Sequence, residues 1–73
     1  MREEVRQVID LTIQGIIKDE GFAREMAEAA YWCEQDGHFA VAEEMRHVSR
    51  QYRIRVMEKR SKLALLQQAY PEA

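Results

Sequence analysis

A stripe of mostly apolar residues runs along almost the whole chain and advances mainly by steps of three and four residues. Such steps keep side chains on one face of an α-helix and are typical of a coiled-coil or helix-bundle seam. In the first arm the stripe comprises Val5, Ile9, Thr12, Ile16, Asp19, Ala23, Met26, Ala30 and Cys33. In the second arm it comprises Val41, Met45, Val48, Tyr52, Val56, Leu63 and Leu66. Because no alternating β pattern competes and the single proline, Pro71, lies in the tail, the sequence predicts an all-α protein.

The two arms meet at Asp36-Gly37-His38, where glycine suits the left-handed position that ends a helix. We therefore predict one domain, residues 1–73, folded as a long antiparallel two-helix hairpin. Its helices should span about 2–36 and 39–69, with a turn at Asp36–His38 and a short tail. Gly21 leaves an alternative open, since a helix stop there would give a kinked or three-helix variant.

Charge is strongly polarised between the arms. Residues 1–45 carry four basic and eleven acidic side chains, a net charge of −7, whereas residues 46–73 carry seven basic and two acidic ones, a net charge of +5. Asp19 is the one charge on the first stripe, and a carboxylate in a seam is costly unless it is paired. We predict an ion pair between Asp19 and Arg55 that sets the hairpin register. The alternative is that both side chains reach solvent.

Apolar residues outside the stripe predict self-association. A chain of 73 residues has a small core, and a hairpin buries only one face of each helix. Large apolar areas on small domains commonly mark interfaces. We therefore expect a homo-oligomer, a dimer or tetramer, that forms a four-helix-type bundle. The predicted interface residues are Val8, Leu11, Ile13, Ile17, Trp32, Ile54 and Leu65.

Other features bear on location and catalysis. The acidic N-terminus lacks the apolar stretch of a signal peptide, and no run approaches the roughly 18 apolar residues of a membrane span, so we expect a cytoplasmic protein that contacts no membrane. The only serines, Ser49 and Ser61, lie in no glycine-rich elbow, and the three glycines are isolated. We predict no enzymatic activity, no catalytic residues and no cofactor.

One face of the second arm carries four arginines, Arg46, Arg50, Arg53 and Arg60. Such a stripe could follow the phosphates of a nucleic acid. However, the acidic pI of about 5.6 and the absence of interleaved aromatic residues favour ion pairing with the acidic arm. A regulator that binds nucleic acid through this anion-binding face is therefore an alternative rather than the leading prediction.

The sequence Glu44-Met45-Arg46-His47 is an E-x-x-H motif, and it begins at the end of a helix–glycine turn–helix segment, residues 29–46. This segment resembles the rubrerythrin-type hairpin of ferritin-like proteins. The resemblance implies a helical bundle whose first-helix carboxylate ligand would fall near Asp19. Glu44 and His47 are the other candidate metal ligands, but this pair lies closer to the turn than the family's ligands do. Most of the family's ligands are absent, since its second E-x-x-H would fall near Tyr52 and Arg55. We therefore predict no metal site, with a degenerate metal-binding protein whose site spans two subunits as an alternative.

Together these features predict a small non-enzymatic helical interaction or structural module that homo-oligomerises. A further protein partner is compatible with this prediction, but the sequence does not identify one.

Overall fold

The computed structural model describes residues 2–71 and consists of two helices. Helix α1 spans Arg2–Gln35 and helix α2 spans Phe39–Ala69. They pack against each other as a helical hairpin, which confirms the predicted fold class. Helix α1 continues through Gly21, so the alternative with a helix stop at that glycine is wrong.

Gly37 ends α1 through a Schellman motif. Its φ angle is +82°, the left-handed conformation that glycine adopts without steric cost. The Gly37 N–H donates to the Glu34 carbonyl at 3.0 Å, and the His38 N–H donates to the Cys33 carbonyl at 2.8 Å. These two bonds satisfy carbonyls at the end of α1, and the chain then reverses into α2. The helix therefore ends at Gln35, one residue before the predicted boundary.

The interface between the helices follows the predicted stripe in α1. Its buried residues are Ile9, Ile16, Asp19, Ala23 and Ala30. In α2 the buried residues are Ala42, Ser49 and Val56, which lie seven residues apart. Half-buried Leu63 continues this seven-residue line. A second line, three residues further along, consists of half-buried Met45, Tyr52, Lys59 and Leu66, and the two lines form the seam of α2.

The predicted start of the second stripe was therefore wrong by one residue. Val41 is 45% exposed, whereas Ala42 is fully buried. Likewise Ser49 is buried, while its neighbour Val48 is only half-buried. The Ser49 hydroxyl donates to the Ala23 carbonyl across the interface at 2.7 Å, so its burial leaves the hydroxyl paired. Small side chains at these positions allow the two helices to approach closely near the turn.

Asp19 pairs with Lys59, and the predicted Asp19–Arg55 ion pair is wrong. Asp19 is 5% exposed, and the Lys59 ammonium group reaches it from α2. Lys59 passes over Gly15, where an added Cβ would lie 3.2 Å from the lysine Nζ atom. Arg55 lies at an outward position and instead stacks over the Tyr52 ring, with its guanidinium carbon 5.1 Å from the ring centroid. Because α2 faces α1 with Ala42 and Ser49 rather than with Val41 and Val48, the side chain directed toward the seam near Asp19 is Lys59 and not Arg55.

The hairpin is long and thin. Its principal extents are 53 × 14 × 12 Å and its radius of gyration is 16.3 Å, against about 11 Å for a compact domain of this length. No large side chain among the described residues is fully buried. Neither described helix is long and apolar enough to cross a bilayer.

Candidate functional site

The helix interface divides the hairpin surface into two sides. On the first, which we call the arginine side, two cross-helix ion pairs link Glu20 to Arg60 and Glu34 to Arg46. On the second, which we call the apolar side, the Phe22 ring lies 5.2 Å from the Tyr52 ring. Side chains on these two sides point away from each other because they flank opposite edges of the same seam.

The arginine side carries an open groove between the helices. It consists of two adjoining depressions, with volumes of about 430 and 280 Å³, and both are bordered by Ala27 and Arg53. The lining also includes Glu20, Arg46, Ser49 and Met57. Ala23, Ala27 and Val56 form the apolar floor, where Ala23 and Val56 are themselves buried, and Arg24, Arg50 and Arg53 supply positive charge. We call these six residues the arginine groove.

The positive charge of this groove arises because a row of cross-helix ion pairs, which we call the ladder, lacks a glutamate at its middle position. Arg46, Arg53 and Arg60 recur every seven residues on α2, and Glu20, Ala27 and Glu34 recur every seven on α1. The outer arginines each meet a glutamate, but the middle one borders Ala27. Within residues 2–71 the guanidinium of Arg53 therefore has no carboxylate partner.

Arg24 and Arg50 likewise make no ion pair with any described residue. The four arginines that the sequence places on one face thus divide into two classes. Arg46 pairs with Glu34 and, at 2.8 Å, with Glu43, and Arg60 pairs with Glu20. Arg50 and Arg53 remain unpaired, and Arg24 joins them from α1. Sequence reasoning missed Arg24 because it lies in the acidic arm.

The seven predicted interface residues are all exposed, with exposures from 37% to 67%. They do not share one surface. Heptad spacing places Val8, Leu11, Trp32 and Leu65 toward the apolar side, and Ile13 and Ile17 toward the arginine side. Ile54 lies on the back of α2. Further exposed large apolar side chains are Tyr31, Phe39, Val41 and Met57.

The three candidate metal ligands are not brought together. Asp19 lies in the seam with Lys59, whereas Glu44 and His47 are exposed on α2, and His47 Nε2 lies 3.2 Å from Gln51 Nε2. Among the described residues, no group of three or more histidine, cysteine, aspartate or glutamate side chains is arranged to hold a metal ion. Cys33, a half-buried free thiol, adds no second ligand.

Comparisons of the chain with protein-family models, curated proteins and solved structures gave no match. The resemblance to a rubrerythrin-type hairpin therefore stays a prediction.

Proposed function

We propose that this protein is a small non-enzymatic helical interaction module that assembles with a second copy of itself. The observation that carries the proposal is the unbalanced burial of apolar side chains. Eleven large hydrophobic residues are exposed, while no large side chain of the described chain is fully buried. Surfaces of this kind on small domains commonly mark interfaces.

The total accessible surface supports the same proposal. The chain exposes 5608 Å², whereas a compact monomer of 8.6 kDa is expected to expose about 4,700 Å². The excess of roughly 900 Å² is close to the ~800 Å² that each partner buries in a standard protein interface. A second hairpin laid along the first would cover part of this surface.

The arrangement of apolar residues on the apolar side favours a two-fold dimer. Val8, Leu11 and Leu65 lie near the open end of the hairpin, and Trp32 and Val41 lie near the turn. A two-fold axis perpendicular to the hairpin would place the open-end patch of one copy on the turn-end patch of the other. Each copy would then bury both patches, as a self-complementary interface requires.

Charges between the two patches are compatible with such a contact. Lys18 and Glu25 on α1, with Arg55 and Glu58 on α2, give this part of the surface both signs of charge. An antiparallel second copy can therefore meet opposite charges rather than like ones. The product would be a four-helix bundle, the assembly expected from the sequence.

The test is the solution mass, measured by light scattering on a sizing column over a range of protein concentrations. We expect a dimer of the 8.6 kDa chain for the wild type. Leu65→Glu should shift the peak toward monomer because it would bury an unpaired charge in the interface. Ile54→Glu makes the same change on the back of α2 and should leave the dimer intact.

A wild-type protein that is monomeric at every concentration would contradict the proposal. Dissociation by Ile54→Glu but not by Leu65→Glu would show that the apolar side is not the interface. Circular dichroism of each variant distinguishes dissociation from loss of helix.

A further inference from the structure

We infer that the arginine groove is a docking site for an acidic amphipathic helix of a partner protein. This inference goes beyond self-association because the groove lies on the opposite side of the hairpin from the proposed dimer contact. It rests on the unpaired charge of the groove, on its apolar floor and on the charges at its ends.

The unpaired guanidinium groups define the chemistry of the occupant. Arg24, Arg50 and Arg53 border one continuous groove, and none of them has a carboxylate partner within residues 2–71. Guanidinium groups bind carboxylates in bidentate geometry and lose less hydration than ammonium groups do. Ala27 stands where a glutamate would complete the ladder, and glutamate or aspartate side chains of a partner would supply the missing negative charge.

The floor of the groove favours a helix over an extended anionic chain. Ala23 and Ala27 have short side chains and Val56 is buried, so the backbone of an incoming helix can approach closely. Met57, 60% exposed at the rim, offers a flexible apolar contact of the kind common on helix-binding surfaces. An amphipathic helix can place apolar side chains on this floor and carboxylates against the arginines.

Glutamates beside the groove disfavour nucleic acid. Glu20 and Glu34 stand at its two ends in pairs with Arg60 and Arg46, and Glu43 binds Arg46 as well. A phosphate backbone running along the groove would pass these carboxylates, and it would gain nothing from the apolar floor. A helix whose carboxylates are confined to its middle turns avoids them.

A second copy of this chain is also a poor occupant. A two-fold contact through this surface would bring the unpaired arginines of one copy against those of the other, and close like charges oppose association. A two-fold contact between two copies therefore does not supply the negative charge that these arginines would bind.

The inference can be tested with synthetic helical peptides of about 20 residues, roughly 30 Å long. One peptide carries an alanine–leucine stripe along its length, with glutamates beside the stripe in its middle turns only. A second has lysines in place of the glutamates, and a third has the composition of the first in scrambled order. Binding of each labelled peptide to the full-length protein is followed by fluorescence anisotropy at several salt concentrations. A fourth probe is a labelled single-stranded oligonucleotide.

We expect only the glutamate peptide to bind, with affinity that falls as salt rises. Arg53→Gln should weaken binding by roughly tenfold. Ala27→Glu should weaken peptide binding by a similar factor, because the new glutamate would form an ion pair with Arg53 and leave this arginine unavailable to the peptide. Lys62→Gln removes the same charge from an exposed position away from the groove and should have little effect.

The inference is overturned if the glutamate peptide does not bind at low salt, or if Ala27→Glu binds it as well as the wild type does. Equal binding of the scrambled peptide would show general charge attraction rather than docking. Oligonucleotide binding with the same variant sensitivity would reassign the groove to nucleic acid. Light scattering on Arg53→Gln and Ala27→Glu should give the wild-type mass, so failure of docking and failure of the proposed dimer are separate results.

Discussion

At the scale of single residues, the pair Asp19–Lys59 is the most consequential feature of the seam. Asp19 is nearly excluded from solvent, and its carboxylate depends on one lysine that reaches across α1. Gly15 leaves the space through which this lysine passes, since any Cβ there would crowd it. Removing one member of a buried pair leaves an uncompensated charge, whereas replacing both with apolar groups does not.

We therefore expect Lys59→Met to lower the free energy of unfolding by about 2 kcal/mol. This lies below the usual range for buried pairs because the lysine side chain is 35% exposed. The double variant Asp19→Leu/Lys59→Met should lie within about 1 kcal/mol of the wild type. Urea unfolding followed by circular dichroism, at one fixed protein concentration, measures both values.

Arg55→Ala is the matched control, because Arg55 is the partner that the sequence favoured. It should cost no more than about 1 kcal/mol, the contribution of an exposed cation–π contact with Tyr52. A larger loss for Arg55→Ala than for Lys59→Met would contradict the observed pairing.

At the scale of helices, two glycines have opposite roles. Gly21 lies inside α1 with nothing within 4 Å of the position that a Cβ would occupy. Gly37 has equally open surroundings, but its positive φ angle is one that other residues rarely adopt. Steric crowding does not distinguish the two positions, so the difference between them comes from the backbone alone.

Gly21→Ala should raise the free energy of unfolding by about 1 kcal/mol, since alanine favours the helix and restricts the unfolded chain. Gly37→Ala should lower it by about 1 kcal/mol because alanine is strained in the left-handed region. Thermal unfolding of the two variants beside the wild type checks both signs. A destabilised Gly21→Ala would show that α1 requires glycine at that position for a reason other than backbone conformation.

At the scale of the whole molecule, the thin hairpin has no thick core of its own. The turn half of the seam is built from small residues, Ala23, Ala30, Ala42 and Ser49, and larger aliphatic residues occupy mainly the open half. Burial this limited supplies little stabilisation in a chain of this length. Stability should therefore be linked to the proposed assembly.

For a dimer that unfolds to separate chains, a tenfold rise in protein concentration adds about 1.4 kcal/mol of apparent stability. We expect the thermal midpoint of the wild type to rise with concentration and that of Leu65→Glu to stay constant. Calorimetry at several concentrations measures this dependence. A wild-type midpoint independent of concentration would argue against a dimer.

The sequence alone determined the features that depend on neighbouring residues. The three-and-four spacing predicted both helices, and Gly37 predicted the reversal, because helix period and left-handed glycine caps are local properties. The excess of apolar residues likewise predicted exposed surface, since a single stripe per helix cannot cover it.

The tertiary structure decided which edge of each stripe faces the partner helix. Hydrophobicity alone predicted that Val41 and Val48 face α1, but close helix packing favours the small residues Ala42 and Ser49 there. With this edge of α2 facing α1, Lys59 lies beside Asp19. The arginine groove depends on the same orientation of α2. The seven-residue spacing of the arginines and glutamates can be seen in the sequence. Only the packing of α2 against α1 places Arg53 beside Ala27, where the arginine has no carboxylate partner within residues 2–71.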